Sequence, residues 1–184
     1  MKTSNLIKTS IFTGLMIAGA FMSLSFGAPV PYTLQTMFML MAGIVLGVRY
    51  APLSQVIYLL LGLFGLPVFT GGKGGMTALM SPTFGFLLGF VLGAWLTALL
   101  YEKLPVKSDL ARGLVSTIVG AVVIYLPGIL YFYFLQNVIV GKAMGLAKIA
   151  GFMVPFFVPD LGKAVAAAVI GVIARKALAK RELL

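Results

Sequence analysis

The strongest constraint on the fold is a succession of six apolar stretches, each close to the length that a helix needs to cross a bilayer. A membrane-spanning α-helix needs about 20 largely apolar residues, because its backbone is satisfied internally while its side chains face lipid. Pro and Gly interrupt the chain between most of the stretches. The sequence therefore predicts an all-α integral membrane protein, a single six-helix domain over residues 1–184, with membrane-spanning helices at residues 11–26, 34–48, 53–69, 84–100, 110–135 and 161–179.

Composition excludes most catalytic chemistries. Hydrophobic residues make up 61% of the chain and charged residues only 10%, where a soluble domain has about 25% charged residues. The chain has no Cys and no His, so it lacks thiol nucleophiles, imidazole bases and the commonest zinc ligands. An intramembrane acid protease would need two facing aspartates, and Asp109 and Asp160 are predicted on opposite sides of the membrane. We therefore expect no enzyme activity, no catalytic residue, no metal site and no cofactor.

The distribution of basic residues predicts the orientation. With the N-terminus in the cytoplasm and six crossings, ten basic residues lie inside and only four, Lys73, Lys142, Lys148 and Lys163, lie outside. The positive-inside rule then places both termini in the cytoplasm of a plasma-membrane protein. Lys2 and Lys8 before the first apolar stretch would also fit a signal peptide cleaved near Ala28, but retention as the first span is the simpler interpretation.

Small residues recur at four-residue spacing in several of the predicted helices. Such spacing lets helices approach closely, either within one chain or between chains. The pair Gly14 and Ala18 in the first helix is the one that we predict to dock a partner. The other sets are Gly43 with Gly47, the row Gly85, Gly89 and Gly93, and Ala167 with Gly171.

An acid and a base three residues apart, Asp160 and Lys163, stand where the last span is predicted to begin. This spacing places both side chains on one face of a helix, and ionisable groups near the hydrocarbon region usually have a role. Asp160 is also the only acid predicted on the outer side, since Glu102, Asp109 and Glu182 fall on the inner side. The pair is predicted to bind a small polar solute. In the alternative interpretation, Asp160 only caps the helix and Lys163 extends towards water.

Two of the predicted outer loops have unusual composition. The first, from Pro29 to Gln35, is held extended by proline and presents Tyr32, Thr33 and Gln35, which could line a site or belong to the interfacial aromatic belt. The second contains the run Gly71 to Gly75, in which Gly72, Gly74 and Gly75 allow close backbone approach to a ligand, unless the segment is an ordinary flexible loop. The run does not satisfy the phosphate-loop pattern, because Pro67 and Gly74 occupy positions that require Gly and Ser or Thr.

Four short strings in fixed order resemble the BioY family of biotin-binding S components of energy-coupling-factor (ECF) transporters. They are P-V-P-Y-T-L-Q at 29–35, G-L-P-V-F followed by G-G-K-G-G at 65–75, P-T-F-G at 82–85 and D-L-G-K at 160–163. Two positions depart from the family pattern: Ser81 replaces the Gly that usually precedes P-T-x-G, and Tyr131 stands where Trp is common.

The resemblance implies a six-helix bundle with a biotin site near the outer surface. It implies that Phe69 and Tyr131 pack against the ligand, that Asp160 and Lys163 bind its polar groups, and that Pro82 and Thr83 belong to the site. It also implies a transmembrane coupling subunit and two ATPase subunits as partners. The alternatives are an S component for another vitamin, such as thiamine or riboflavin, and a membrane scaffold protein without a ligand.

Overall fold

The computed structural model describes residues 3–25 and 30–181, and these residues are almost entirely helical. Phe26 at the end of the first predicted span, Pro29 at the start of the first loop string, Lys2, Ala28 and Glu182 lie outside the described residues. The elements, in chain order, are α1 (Thr3–Phe21), β1 (Ser23–Leu24), β2 (Tyr32–Thr33), α2 (Gln35–Leu63), a 3-10 helix (Met76–Met80), α3 (Phe84–Lys103), α4 (Asp109–Val123), α5 (Tyr125–Phe134), a π-helical turn (Leu135–Ile139) and α6 (Leu146–Lys180).

The outward faces of the helices are apolar, as expected of a membrane protein. Within the described residues, four segments are long and apolar enough to span a bilayer: Gln35–Leu63, Phe84–Lys103, Asp109–Ile139 and Leu146–Lys180. Large side chains such as Leu92, Trp95 and Ile173 are exposed on the outside of the bundle. Exposed apolar surface on this scale is unfavourable in water but matches a lipid environment.

Helix α2 reverses direction at Gly47. This residue has φ +76°, a left-handed conformation that glycine adopts without strain. Gln35 Nε2 donates a hydrogen bond to the Tyr58 hydroxyl at 2.8 Å, although a straight helix would separate the two residues by about 35 Å. The Glu102 carboxylate accepts a hydrogen bond from Val48 N at 3.3 Å, which satisfies a donor released at the break. The break predicted at residues 49–52 therefore lies at Gly47, and helix resumes almost at once.

Small residues bring the helices of the bundle into close contact. The row predicted on α3 faces α4 and α5: a Cβ at Gly89 would lie 2.8 Å from Ile124 O, and one at Gly93 would lie 3.1 Å from Gly120 O. Gly43 packs in the same way against Thr97 of α3. These contacts are all within the chain. Gly14 is different, because it is exposed on α1 and a Cβ there would meet no atom within 4 Å.

The last helix begins 15 residues earlier than the sequence predicts, at Leu146 rather than Leu161. The segment 136–160 was predicted as a connector because Pro155 and Pro159 usually end helices. In the structure both prolines lie inside α6. Pro159 cannot donate to the carbonyl of Pro155, and the Tyr32 hydroxyl instead donates to that oxygen in a long hydrogen bond of 3.5 Å.

Two other predicted helix boundaries also differ from the structure. The first helix ends at Phe21, and Ser23–Leu24 pairs antiparallel with Tyr32–Thr33 instead of continuing the predicted helix to residue 26. The helix predicted at 110–135 is divided at Ile124 into α4 and α5, three residues before Pro127. A proline that follows closely lacks the N–H that would continue the hydrogen-bond ladder, which accounts for this division.

Candidate functional site

A cavity of about 320 Å³ opens at one end of the bundle, between the start of α2, the loop after α2, the start of α3, the junction of α4 and α5, and α6. Small-molecule sites in proteins occupy roughly 300–1,000 Å³, so the cavity suits a compact ligand. Its lining combines aromatic, hydroxyl and charged side chains. The lining residues include Tyr32, Thr33, Gln35, Phe69, Gly71, Lys73, Pro82, Thr83, Phe86, Phe90, Tyr125, Met153, Phe156, Asp160 and Lys163.

Asp160 and Lys163 form an ion pair in the wall of this cavity. The Lys163 ammonium donates to Asp160 Oδ1 at 2.8 Å, and the Tyr125 hydroxyl donates to Asp160 Oδ2 at 2.7 Å. Asp160 is only 8% exposed, so these two donors stabilise a carboxylate that has lost most of its water. Asp160 lies within α6, 14 residues after its start, and therefore does not cap the helix.

A buried hydrogen-bond network connects the start of α2 to the loop that follows its second half. Gln35 donates to Tyr58, and the Tyr58 hydroxyl donates to Val68 O at 3.2 Å. The Thr70 hydroxyl donates to Gln35 Oε1 at 3.1 Å. Gln35 and Tyr58 are 2% and 1% exposed, so each broken bond would leave a polar group unsatisfied away from water. The network fixes the loop against the cavity.

Aromatic rings supply most of the apolar wall. Phe69 is buried with its ring against the Gly62 backbone and edge-on to Tyr58, with ring centroids 5.4 Å apart. Tyr32 stacks on Phe156 with centroids 4.4 Å apart, which brings the loop before α2 onto α6. Such a wall can bury the apolar body of a ligand, while the polar groups set its orientation.

The glycine-rich loop forms a tight hairpin beside the cavity. Phe69 and Lys73 pair backbone to backbone, with Phe69 N donating to Lys73 O at 2.9 Å. Gly71 and Gly72 complete the turn at φ +77° and +68°, where side chains with a Cβ are strained. Gly75 N donates to Gly62 O at 2.7 Å, which anchors the end of the loop to α2.

The structure brings together most of the residues predicted at the site. Eight of them line the cavity: Tyr32, Thr33, Gln35, Phe69, Pro82, Thr83, Asp160 and Lys163. Four others do not line it: Gly72, Gly74, Gly75 and Tyr131. The three glycines instead shape the hairpin and its anchor, and Gly74 packs against Leu66 O. Tyr131 donates to Leu79 O at 2.5 Å and packs against Phe84, beneath the 3-10 helix.

Several lining residues were not predicted from the sequence. Tyr125 contacts Asp160 from α5, and Phe86, Phe90, Met153 and Phe156 complete the apolar wall. Each is one aromatic or Met among many in an apolar helix, so composition alone did not distinguish it. Tyr125 carried one usable signal, because it lies two residues before Pro127, directly after the break between α4 and α5 at Ile124. Lys73 also lines the cavity, although its sequence position predicts an outer-side cation within the G-G-K-G-G string and no ligand contact.

The arrangement is suited to binding. Asp160 offers acceptor oxygens, Lys163 and Tyr125 offer donors, and the surrounding rings offer apolar surface. Among the described residues, no group of three His, Cys, Asp or Glu side chains is close enough to hold a metal ion. The donors, acceptors and rings of the cavity match a small organic molecule with a polar head and an apolar body.

Comparisons with known proteins identify the family. The model of the BioY family matches residues 1–180. The biotin transporter BioY of Thermotoga maritima is 43% identical over 171 residues, which cover 93% of this chain and 95% of the relative. The biotin transporter BioY of Rhizobium etli is 37% identical over 175 residues, which cover 93% of this chain and 92% of the relative. The fold matches a crystal structure of the S component for biotin from an ECF-type ABC transporter, with a TM-score of 0.81, 28% identity, and coverage of 96% of this chain and 95% of that one. The chain belongs to the BioY family.

Proposed function

We propose that this chain captures biotin as the substrate-binding membrane subunit, the S component, of an ECF-type ABC transporter. The observation that carries the proposal is the hydrogen-bonded Asp160–Lys163 pair inside an aromatic cavity of a BioY family member. Relatives 37–43% identical over almost their whole length are biotin transporters. The chain itself supplies binding, and ATP hydrolysis belongs to other subunits.

In the proposed complex, the ureido ring of biotin lies at Asp160 and Lys163. Asp160 accepts a hydrogen bond from a ureido N–H, and Lys163 donates to an oxygen of the ligand. A carboxylate has about four acceptor positions, and the Tyr125 and Lys163 donors use two of them, so Asp160 can accept another hydrogen bond without losing these partners. The fused rings and the valerate chain pack against Phe69 and neighbouring rings, and this apolar burial supplies most of the affinity.

We further propose that the chain crosses the plasma membrane six times, with both termini in the cytoplasm and the cavity facing outside. The reversal at Gly47 supports this count, because it divides the long helix α2 into two antiparallel halves. The distribution of basic residues supports the orientation, with ten on the proposed inner side and four on the outer side. In this orientation biotin enters from outside, between the anchored hairpin at 69–73 and the segment before α2.

The proposed partners are a transmembrane coupling subunit and two ATPase subunits. The sequence contains no nucleotide-binding loop of the Walker type, which is consistent with ATP hydrolysis by separate subunits. Gly14 and Ala18 are exposed on α1, one turn apart, which would allow a partner helix to approach closely. No cofactor takes part in this function.

Titration calorimetry of the purified chain with biotin tests the proposal. Saturable binding of one biotin per chain is expected, with no displacement by thiamine or riboflavin. Displacement of biotin by either vitamin would assign a different solute, and the lack of saturable binding to any of the three would contradict the proposal and favour a scaffold role.

The variant Asp160→Asn tests the proposed contact. It keeps the side-chain shape but removes the charge, and a hydrogen bond to a charged group contributes about 1.5–3 kcal/mol, so biotin binding should weaken roughly 10- to 150-fold. Asp109→Asn is the matched control, because Asp109 pairs with Arg112 and Lys176 outside the cavity. It should leave biotin affinity unchanged. Equal affinities of the two variants would reject the role of Asp160.

A further inference from the structure

The charges around the cavity do not balance. Of the described lining residues, Lys73, Asp160 and Lys163 carry formal charges, which gives two positive charges and one negative charge. Asp160 and Lys163 neutralise each other at 2.8 Å. Lys73 is therefore a surplus cation, and within the described residues its ammonium has no ion pair. A cavity with a net positive charge favours a ligand with a net negative charge.

The backbone of Lys73 is held in place beside the cavity. Two hydrogen bonds connect it to Phe69, from Phe69 N to Lys73 O at 2.9 Å and from Lys73 N to Phe69 O at 3.3 Å. The Phe69 ring is itself fixed against Gly62 and Tyr58. Lys73 is therefore an exposed residue on an anchored hairpin that lines the cavity.

Lys73 and the Asp160–Lys163 pair are carried by different elements, the hairpin after α2 and the helix α6. A ligand that fills the cavity can therefore contact both with different parts of its structure. Biotin has a neutral ureido head and a carboxylate at the end of a flexible chain. A self-neutralised polar pair suits the neutral head, and an exposed cation suits the carboxylate.

We infer that Lys73 is a specificity-determining residue that pairs with the carboxylate of the bound vitamin. The inference rests on the proposed function and adds a second, separate polar contact to it. Lys73 then selects the anionic free acid over neutral derivatives, while Asp160 and Lys163 recognise the head common to all of them. Because Lys73 pairs with the carboxylate, Lys163 can bind the ureido oxygen.

The test compares the binding of biotin with that of biotinamide, which has nearly the same shape but no negative charge. Calorimetry of the unmodified chain should show a preference for biotin of about fivefold, the size expected of an ion pair that stays partly hydrated. Lys73→Met should bind both ligands equally, with its loss of affinity confined to biotin. Lys73→Arg should keep the preference, and raising the salt concentration should reduce it. Lys142→Met, which changes an exposed lysine outside the cavity, should behave as the unmodified chain.

The outcomes separate the inference from the proposed function. If the unmodified chain binds neither ligand, the proposed function is wrong and the inference fails with it. If the chain binds biotin but Lys73→Met retains the full preference for biotin over biotinamide, only the inference is wrong. Equal loss of both ligands in Lys73→Met would also overturn it, because that result indicates a structural role of the hairpin instead of charge recognition.

Discussion

Replacing Gly62 with alanine tests how the cavity wall is built. Gly62 is buried in the last turn of α2, and a Cβ at this position would overlap the ring of Phe69. Phe69 is 4% exposed and its ring lies edge-on to Tyr58, so neighbouring side chains hold the ring in place. Carbon atoms pack at about 3.5–4.0 Å, and the ring must therefore move by more than about 1 Å, either against Tyr58 or into the cavity.

The expected magnitude follows from this overlap. Inserting one extra carbon into a well-packed core costs about 1–3 kcal/mol of stability. If biotin packs against Phe69 in its present position, binding must return the ring to that position. The same strain then opposes binding and reduces affinity roughly 5- to 150-fold.

Thermal unfolding in detergent and titration calorimetry measure the two effects. Gly14→Ala is the matched control, because the same atom is added in a helix where it meets nothing within 4 Å. Alanine favours a helix over glycine by roughly 1 kcal/mol, so this control should keep or slightly raise the melting temperature and leave affinity unchanged. If Gly62→Ala retained both the melting temperature and the affinity of the unmodified chain, the packing of Phe69 against this glycine would be refuted.

Two tyrosines give further predictions. Tyr125→Phe removes one of the two donors that hold the buried Asp160 carboxylate, so the melting temperature should fall and biotin affinity measured by calorimetry should decrease about fivefold. An unchanged affinity would show that Asp160 needs no orientation from this hydroxyl. Tyr58→Phe leaves the Gln35 amide and the Val68 carbonyl unpaired, so the free energy of unfolding should fall by about 1–3 kcal/mol and amide exchange in the following loop should accelerate. Unchanged exchange would contradict the role of Tyr58 in anchoring that loop.

The features that the sequence predicts correctly depend on interactions between residues that are close together in the chain. Apolar length predicted the helices, because a helix in lipid satisfies its own backbone wherever it lies in the fold. Asp160 and Lys163 were predicted to share a helix face because a separation of three residues fixes that geometry, and the structure has them paired. The aromatic and amide side chains of the first loop were associated with the site because proline limits the conformations of that short segment.

The features missed depend on contacts between distant parts of the chain. Tyr125 and Asp160 are 35 residues apart, and no periodicity connects them. Helix α6 continues through Pro155 and Pro159 although prolines usually end helices, since neighbouring groups such as the Tyr32 hydroxyl can satisfy a carbonyl that a proline leaves unpaired. Whether such a donor is available is a property of the assembled bundle, which the sequence of α6 alone does not contain.

The reversal at Gly47 limits how the chain can vary in length. Only Gly47 departs from helical geometry between the two halves of α2, so the connection has no loop that could accommodate an added residue. One insertion would turn the second half of α2 by 100° and shift it by about 1.5 Å along its axis. Tyr58 would then point away from Gln35, and the hairpin that carries Lys73 would lose its attachment at the far end of the bundle. A single-residue insertion beside Gly47 should therefore damage binding from a distance, while the same insertion near exposed Gly141 should have little effect.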